Sequence, residues 1–207
     1  TLKRTTGRFT FDLAAFYTSY DGFIFKNFTS LACGEEFESC GVPGAPGVED
    51  ELTQVAYAQE DADFYGFEAE AAWDAVETQH GTLGFDGRFD VVKADLKPGG
   101  NVPRITPLRY GGGIYFETDQ LFAQFSALRV TRQDDVAVNE DPTKGYTDLR
   151  AEMTYNFNLS NLDNRAVQVG LIGHNLLDQD QRNHVSFKKD DVVLPGIGAR
   201  LFLRLRF

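Results

Sequence analysis

Two cysteines and three histidines are all that 207 residues offer in soft metal ligands and histidine-based catalysts, and other absences are as informative. No window nears the roughly 18 consecutive apolar residues that a membrane-spanning helix needs, and no basic, then apolar, then small-residue leader opens the chain. Neither absence speaks against spanning with strands, which need only about 10 alternating residues each. Lysine and arginine are missing from Asn27 to Asp86, where Glu35, Glu36, Glu38, Glu49, Asp50, Glu51, Glu60, Asp61 and Asp63 all lie. With a formal net charge of −11, the chain has no clustered cations for a phosphate backbone, so nucleic acid is not an expected partner. Gly-x-Ser-x-Gly, His-Glu-x-x-His, Cys-x-x-Cys and a phosphate-binding glycine loop are all missing, and catalysis is not expected. Aromatic residues, by contrast, make up 13% of the chain, which argues for an ordered fold.

What is present is period two, the repeat of a strand whose successive side chains take opposite faces. Phe9, Phe11, Leu13, Ala15 and Tyr17 alternate with Thr10, Asp12 and Thr18; Tyr65, Phe67, Ala69, Ala71 and Trp73 alternate with Gly66, Glu68, Glu70 and Asp74. The same alternation sets Leu83, Phe85, Phe89 and Val91 against Asp86, Arg88 and Asp90, and Leu149, Ala151, Met153, Tyr155 and Phe157 against Asp148, Arg150, Glu152 and Asn156. Segments 108–117 and 166–174 repeat it, whereas 120–130 leaves open which file is which. Counting the closing LFLRLRF, about eight strands are predicted. Their joins alternate in length: short near 75–81, 117–119 and 158–165, long near 28–55 and 178–196, intermediate near 134–145.

Alternation alone suits a water-soluble β-sandwich as well as a barrel. The polar file favours the barrel. Glu68/Glu70, Asp86/Arg88/Asp90, Asp148/Arg150/Glu152 and Arg200/Arg204/Arg206 form blocks of both signs that a wide, wet interior tolerates and a dry core does not. The expected fold is therefore all-β: an antiparallel transmembrane β-barrel wall, with short turns in the periplasm and long loops, including the one carrying both cysteines, outside the cell. Cys33 and Cys40, close together amid glycine and proline with no histidine nearby, are expected to form a disulfide in an oxidising compartment. His80 falls in a periplasmic turn, where a structural role is expected.

The closing stretch resembles a family. His174-Asn-Leu-Leu-Asp178, then Arg182-Asn-His184, then Pro195-Gly-Ile-Gly-Ala-Arg-Leu-Phe-Leu-Arg-Leu-Arg-Phe207 is similar to the final strand pair of TonB-dependent outer-membrane receptors. Ala62-Asp-Phe-Tyr-Gly-Phe-Glu-Ala-Glu70 and Asn101-Val-Pro-Arg-Ile-Thr-Pro-Leu-Arg109 resemble two of that family's strand approaches, and Phe23-Ile-Phe25 with the acidic loop and Tyr57–Gly66 resembles its zinc-uptake branch. The resemblance implies that residues 1–207 are the C-terminal part of a twenty-two-stranded barrel whose N-terminal plug and earlier strands are absent here. It further implies active import of a scarce ligand such as a metal ion, metal complex or siderophore, energised through TonB acting on the plug. It implies no cofactor beyond a transported zinc or iron complex, and a monomer embedded in outer-membrane lipid. Two other readings stay open: a complete eight-stranded outer-membrane barrel with a structural or adhesive role, and a secreted β-sandwich binding module.

Six residues are candidate metal ligands by type and expected position: His174, His184, Asp61, Asp63, Asp178 and Asp180. In the last strand Leu201, Leu203, Leu205 and Phe207 are expected to meet lipid and to form the assembly signal read by the barrel-assembly machinery through strand pairing. Arg200, Arg204 and Arg206 would then face the interior and answer acids such as Asp148 and Glu152.

Overall fold

The computed structural model describes residues 1–34, 40–48, 52–158 and 166–206. Its elements are all strands: β1 (Leu2–Arg4), β2 (Phe9–Cys33), β3 (Cys40–Gly41), β4 (Leu52–Thr78), β5 (Gly81–Leu96), β6 (Arg109–Glu117), β7 (Leu121–Val130), β8 (Tyr146–Asn158), β9 (Ala166–His174) and β10 (Gly198–Arg206). They form one sheet, an antiparallel meander in the order β1-β2-β4-β5-β6-β7-β8-β9-β10, with the two-residue β3 folded onto β2. The eight long strands are the eight expected.

The register carries each apolar file onto the next. Phe9, Phe11, Leu13, Ala15 and Tyr17 stand opposite Trp73, Ala71, Ala69, Phe67 and Tyr65. Trp73 continues to Phe85, Phe85 to Ile114 and Ile114 to Phe125. At the far side Met153 meets Leu171, and Leu171 meets Leu201. A one-residue slip of any strand would turn its whole apolar set to the other face, so this agreement across the ladders fixes the register. The ambiguity of 120–130 ends here: Leu121, Ala123, Phe125 and Ala127 pair with Tyr155, Met153, Ala151 and Leu149 on the apolar face.

That apolar face is uncovered. Leu201 is 72% exposed, Tyr17 66% and Trp73 51%, while the hydrophobic residues that are buried number six among the described residues. A sandwich would bury one face against a second sheet, and no second sheet is present among the described residues. Nor do the eight strands close on themselves, because the path is open, with β1 at one end and β10 at the other. The opposite face is polar and concave. A hollow of about 510 Å³ is lined there by Asp12, Glu70, Asp86, Arg88 and Gln124. Aromatic rings on this inner face fill glycine positions of the neighbouring strand: Phe16 over Gly66, Tyr115 over Gly84 and Phe202 over Gly170. A Cβ at Gly66 would lie 2.5 Å from Phe16 Cζ.

Connections sort by length onto the two ends of the sheet. At one end lie Thr5–Arg8, the two-residue turn Gln79-His80 and Thr118–Gln120; at the other lie 34–51, 97–108, 131–145 and 175–197. His80 is in its turn as expected, and β10 runs toward the short-turn end. The join expected over 28–55 is shorter than the sequence suggested. Strands β2 and β4 run on to Cys33 and from Leu52, so the hairpin continues past the rest of the sheet, with irregularities between Tyr20 and Phe23 and between Phe28 and Ala32. Apart from Ala32 and Cys33, buried at its tip, the side chains of its outer arms are exposed or half-buried on both faces, so burial imposes no alternation there for a sequence reading to catch.

Candidate functional site

Two regions hold the chemistry: the polar inner face, and the end where the long connections meet. On the inner face charges pair locally. Arg109 Nε donates to Asp90 Oδ2 at 2.8 Å and Arg150 Nε to Asp148 Oδ2 at 2.6 Å. Tyr115 OH donates to Asp74 Oδ1 at 2.5 Å, and Gln124 Nε2 to Asp86 Oδ2 at 2.7 Å. Arg200 and Arg204 do not answer Asp148 and Glu152 as expected. They sit opposite Ile172 and Gln168 of β9, so β9 separates them from β8, and Asp148 takes Arg150 of its own strand instead. The side chains of Arg206 and Phe207 lie outside the described residues.

At the long-connection end three connections close on one carboxylate. Glu140, 6% exposed, accepts from the backbone N–H of Arg104 at 3.1 Å and of Ala137 at 3.1 Å. His184, 2% exposed, places Nε2 3.4 Å from Glu140 Oε1 and shares a 2.9 Å hydrogen bond between its Nδ1 and Thr143 Oγ1. The buried Lys189 brings Nζ to 3.9 Å from the same Glu140 oxygen and also donates to the carbonyl of Asp141. Residues of 97–108, 131–145 and 175–197 thus share one buried ionic cluster. Burial by itself would push the Glu140 carboxyl up. Contact with the His184 imidazole, the Ala137 N–H and the nearby Lys189 ammonium outweigh it and hold the group below the ordinary glutamate value of 4.5.

The same unit clasps the β2/β4 hairpin. Phe187 lies between two cations, with the Arg104 guanidinium 3.7 Å and Lys26 Nζ 4.2 Å from its ring centre. Asn139 Nδ2 donates to the Phe28 carbonyl at 2.9 Å. Desolvation lowers the Arg104 pKa, against the opposing pull of Glu140. Below this unit Val102 is buried with Ala62 and Ala94, against which Phe23, Phe64, Leu96 and Ile105 pack.

The six candidate metal ligands are dispersed. His184 is committed to the Glu140 cluster. His174 is on the inner face, its ring lying over Gly198. Asp63 shares the outward file of Tyr65, opposite Ser19, with Lys97 Nζ 3.9 Å away. Asp61 accepts from the N–H of Gly22 at 2.8 Å. Asp178 accepts from the N–H of Ile197 at 2.9 Å, and Asp180 is exposed. Among the described residues no three of His, Cys, Asp and Glu are grouped so as to hold a metal ion. Cys33 and Cys40 do form the expected disulfide.

The sequence reading passed over Glu140, Lys189, Arg104 and Phe187. It did single out the stretches that position them, and the structure gives those stretches a mechanical meaning. Asn175 is buried with a positive φ of 47°, donates to the carbonyls of Gln179 and Pro195 at 2.9 and 3.3 Å, and so ties both ends of the 175–197 connection together.

An open antiparallel wall with an apolar outer face, a charged concave inner face and long connections gathered at one end is the build of a large transmembrane β-barrel. Residues 2–176 match the family model described as "TonB dependent receptor-like, beta-barrel". The chain belongs to this family. Its resemblance to the zinc-uptake branch stays a resemblance, since the match does not reach that branch. No curated protein sequence matches the chain at a significant level. Among solved structures the chain is similar to one titled "Copper transporter OprC", with a TM-score of 0.70 at 16% identity over 99% of this chain. It spans 29% of that structure's length, and at this identity the likeness is one of fold.

Proposed function

We propose that the chain is the C-terminal part of the barrel wall of an outer-membrane receptor that imports a metal, as an ion or in a complex, with energy supplied through TonB. Family membership supports the transport class and the membrane. The name of the copper transporter that shares the fold favours a metal as cargo. The observation that carries the reading is the two-faced wall: a continuous uncovered apolar face for lipid, and a charged concave face for a wet interior. In this reading the long connections face outward from the cell and β10 runs toward the periplasm, an orientation that agrees with a disulfide at Cys33–Cys40 on the oxidising side. His174 faces the interior and is the candidate best placed to touch passing metal; ligands to complete its shell come from the plug or from strands outside this chain.

The test is uptake of labelled copper, zinc and iron–siderophore complex by cells carrying the full-length receptor as their only receptor of this class. Uptake of one of the three that disappears on deleting TonB is expected. Equal uptake with and without TonB would overturn the proposal.

A further inference from the structure

From β4 to β10 the described basic side chains point inward with two exceptions. Among the described side chains of β4 to β10, Arg88, Arg109, Arg150, Arg200 and Arg204 take the polar file, and only Lys93 and Arg129 share files with apolar residues. Lys93 is neutralised by an ion pair with Asp135. Arg129 has no carboxylate partner among the described residues. It stands exposed opposite Tyr110 of β6 and Thr147 of β8, and its one side-chain hydrogen bond runs from Nη1 to Thr147 Oγ1 at 3.3 Å. An arginine carries five N–H donors, so most of the fork is left without a protein acceptor on the outward surface.

Its height on the wall decides what it meets. From Leu121 at the short-turn end to Arg129 is eight steps, which at about 3.4 Å per residue and a tilt of about 45° places Arg129 about 19 Å higher. The apolar band of such barrels is about 25 Å tall, so the Arg129 backbone lies about 6 Å below its upper rim and the extended side chain carries the guanidinium up to the headgroups. The exposed Tyr110 beside it is the amphipathic ring expected at that level.

We propose that Arg129, oriented by Thr147 and flanked by Tyr110, is a binding point for the phosphate of a membrane lipid headgroup in the leaflet at the long-connection end. A planar guanidinium matches phosphate oxygens in a fork, and a lipid whose chains cover Phe125 and Met153 brings its phosphate to this height. The proposal rests on the reading of the outward face as lipid-facing.

Full-length receptor in neutral detergent would be offered phosphatidic acid, a galactolipid without phosphate, or inorganic phosphate, and retained lipid counted by native mass spectrometry. Heat-modifiable migration would confirm folding of each variant. Wild type is expected to retain phosphatidic acid about fivefold more than galactolipid, the increment of one basic residue at a charged surface. Arg129→Gln should bring that ratio to near one, Arg129→Lys should keep part of it, and Thr147→Val should fall between wild type and Arg129→Gln. An unchanged ratio in folded Arg129→Gln overturns the proposal. So does full displacement of phosphatidic acid by millimolar inorganic phosphate, which would make the site one for the free anion. Retention of neither lipid by wild type would instead overturn the lipid-facing reading itself.

Discussion

Replacing Glu140 by glutamine tests whether three connections act as one unit. The amide keeps the size of the carboxyl and an oxygen that can accept from the N–H groups of Arg104 and Ala137, 3.1 Å away in both cases. It removes the charge that faces His184 at 3.4 Å and Lys189 at 3.9 Å, both buried. Breaking a buried pair from one side costs about 3 to 5 kcal/mol because the other charge is left without compensation. Lys189 keeps its contact with the Asp141 carbonyl and has Asp190 Oδ1 3.8 Å away, so at most the lower figure applies, and about 3 kcal/mol corresponds to an upper bound of roughly 100-fold in a local opening equilibrium. Hydrogen exchange of the full-length receptor should therefore speed up by up to that factor in peptides from 97–108, 131–145 and 175–197 together, while β7 and β8 stay protected. A change confined to 131–145, or one below about threefold, would refute the idea of a shared cluster. The sign with pH follows from Glu140 being held below its ordinary value of 4.5: its contribution is in place above that pH and is lost as the pH falls through the lower folded value. The contribution of the Glu140 carboxylate itself to protection of the three connections should be complete above its ordinary value and drop only in stronger acid.

Gly66→Val would drive a side chain into Phe16 and into the Val91 carbonyl, each 2.5 Å from the added Cβ; the heat-modifiable band of the assembled receptor should be lost, whereas Gly87→Val, whose Cβ meets nothing nearer than the Gly111 carbonyl at 3.7 Å, should leave it. Leu203→Arg would put a charge among Leu201, Leu205 and Val169 on the uncovered face, at a cost of roughly 2 to 4 kcal/mol near mid-membrane. Its assembly yield should fall well below that of Phe202→Leu on the inner face, and equal yields would refute the assignment of faces.

The strands were legible because both faces were marked at once, one by aromatic and aliphatic side chains and the other by charge. Where one mark failed, so did the reading. In 120–130 Leu121, Phe122 and Ala123 are all apolar, and only pairing with β8 decides that Phe122 turns inward while Ala123 turns outward. The pairing of charges was less legible than their placement, since Asp148 is satisfied within β8 and Arg200 is kept from it by β9. The pairing within the Glu140 cluster was not legible, although His184 stood out as a candidate ligand: Arg104, Glu140 and His184 come from three separate connections and meet only through the fold. The Pro103-Arg104 and Asn175–Asp178 stretches did stand out, though as marks of kinship; their physical work is to hold those connections in place.

The long hairpin turns the wall into something with reach. From Tyr20, level with the last β4/β5 pair Ala62–Leu96, the β2/β4 hairpin runs on to the Cys33–Leu52 pair, and ten residues of β4 at about 3.3 Å each make about 33 Å of ladder beyond the rest of the sheet. The Cys33–Cys40 bridge braces its far end, and the contacts of Phe187 with Lys26 and of Asn139 with the Phe28 carbonyl hold it about halfway along. A post gripped halfway along and cross-linked at its tip has only the short span between, Thr29 to Ala32, without a contact among the described residues to the Glu140 unit or the disulfide.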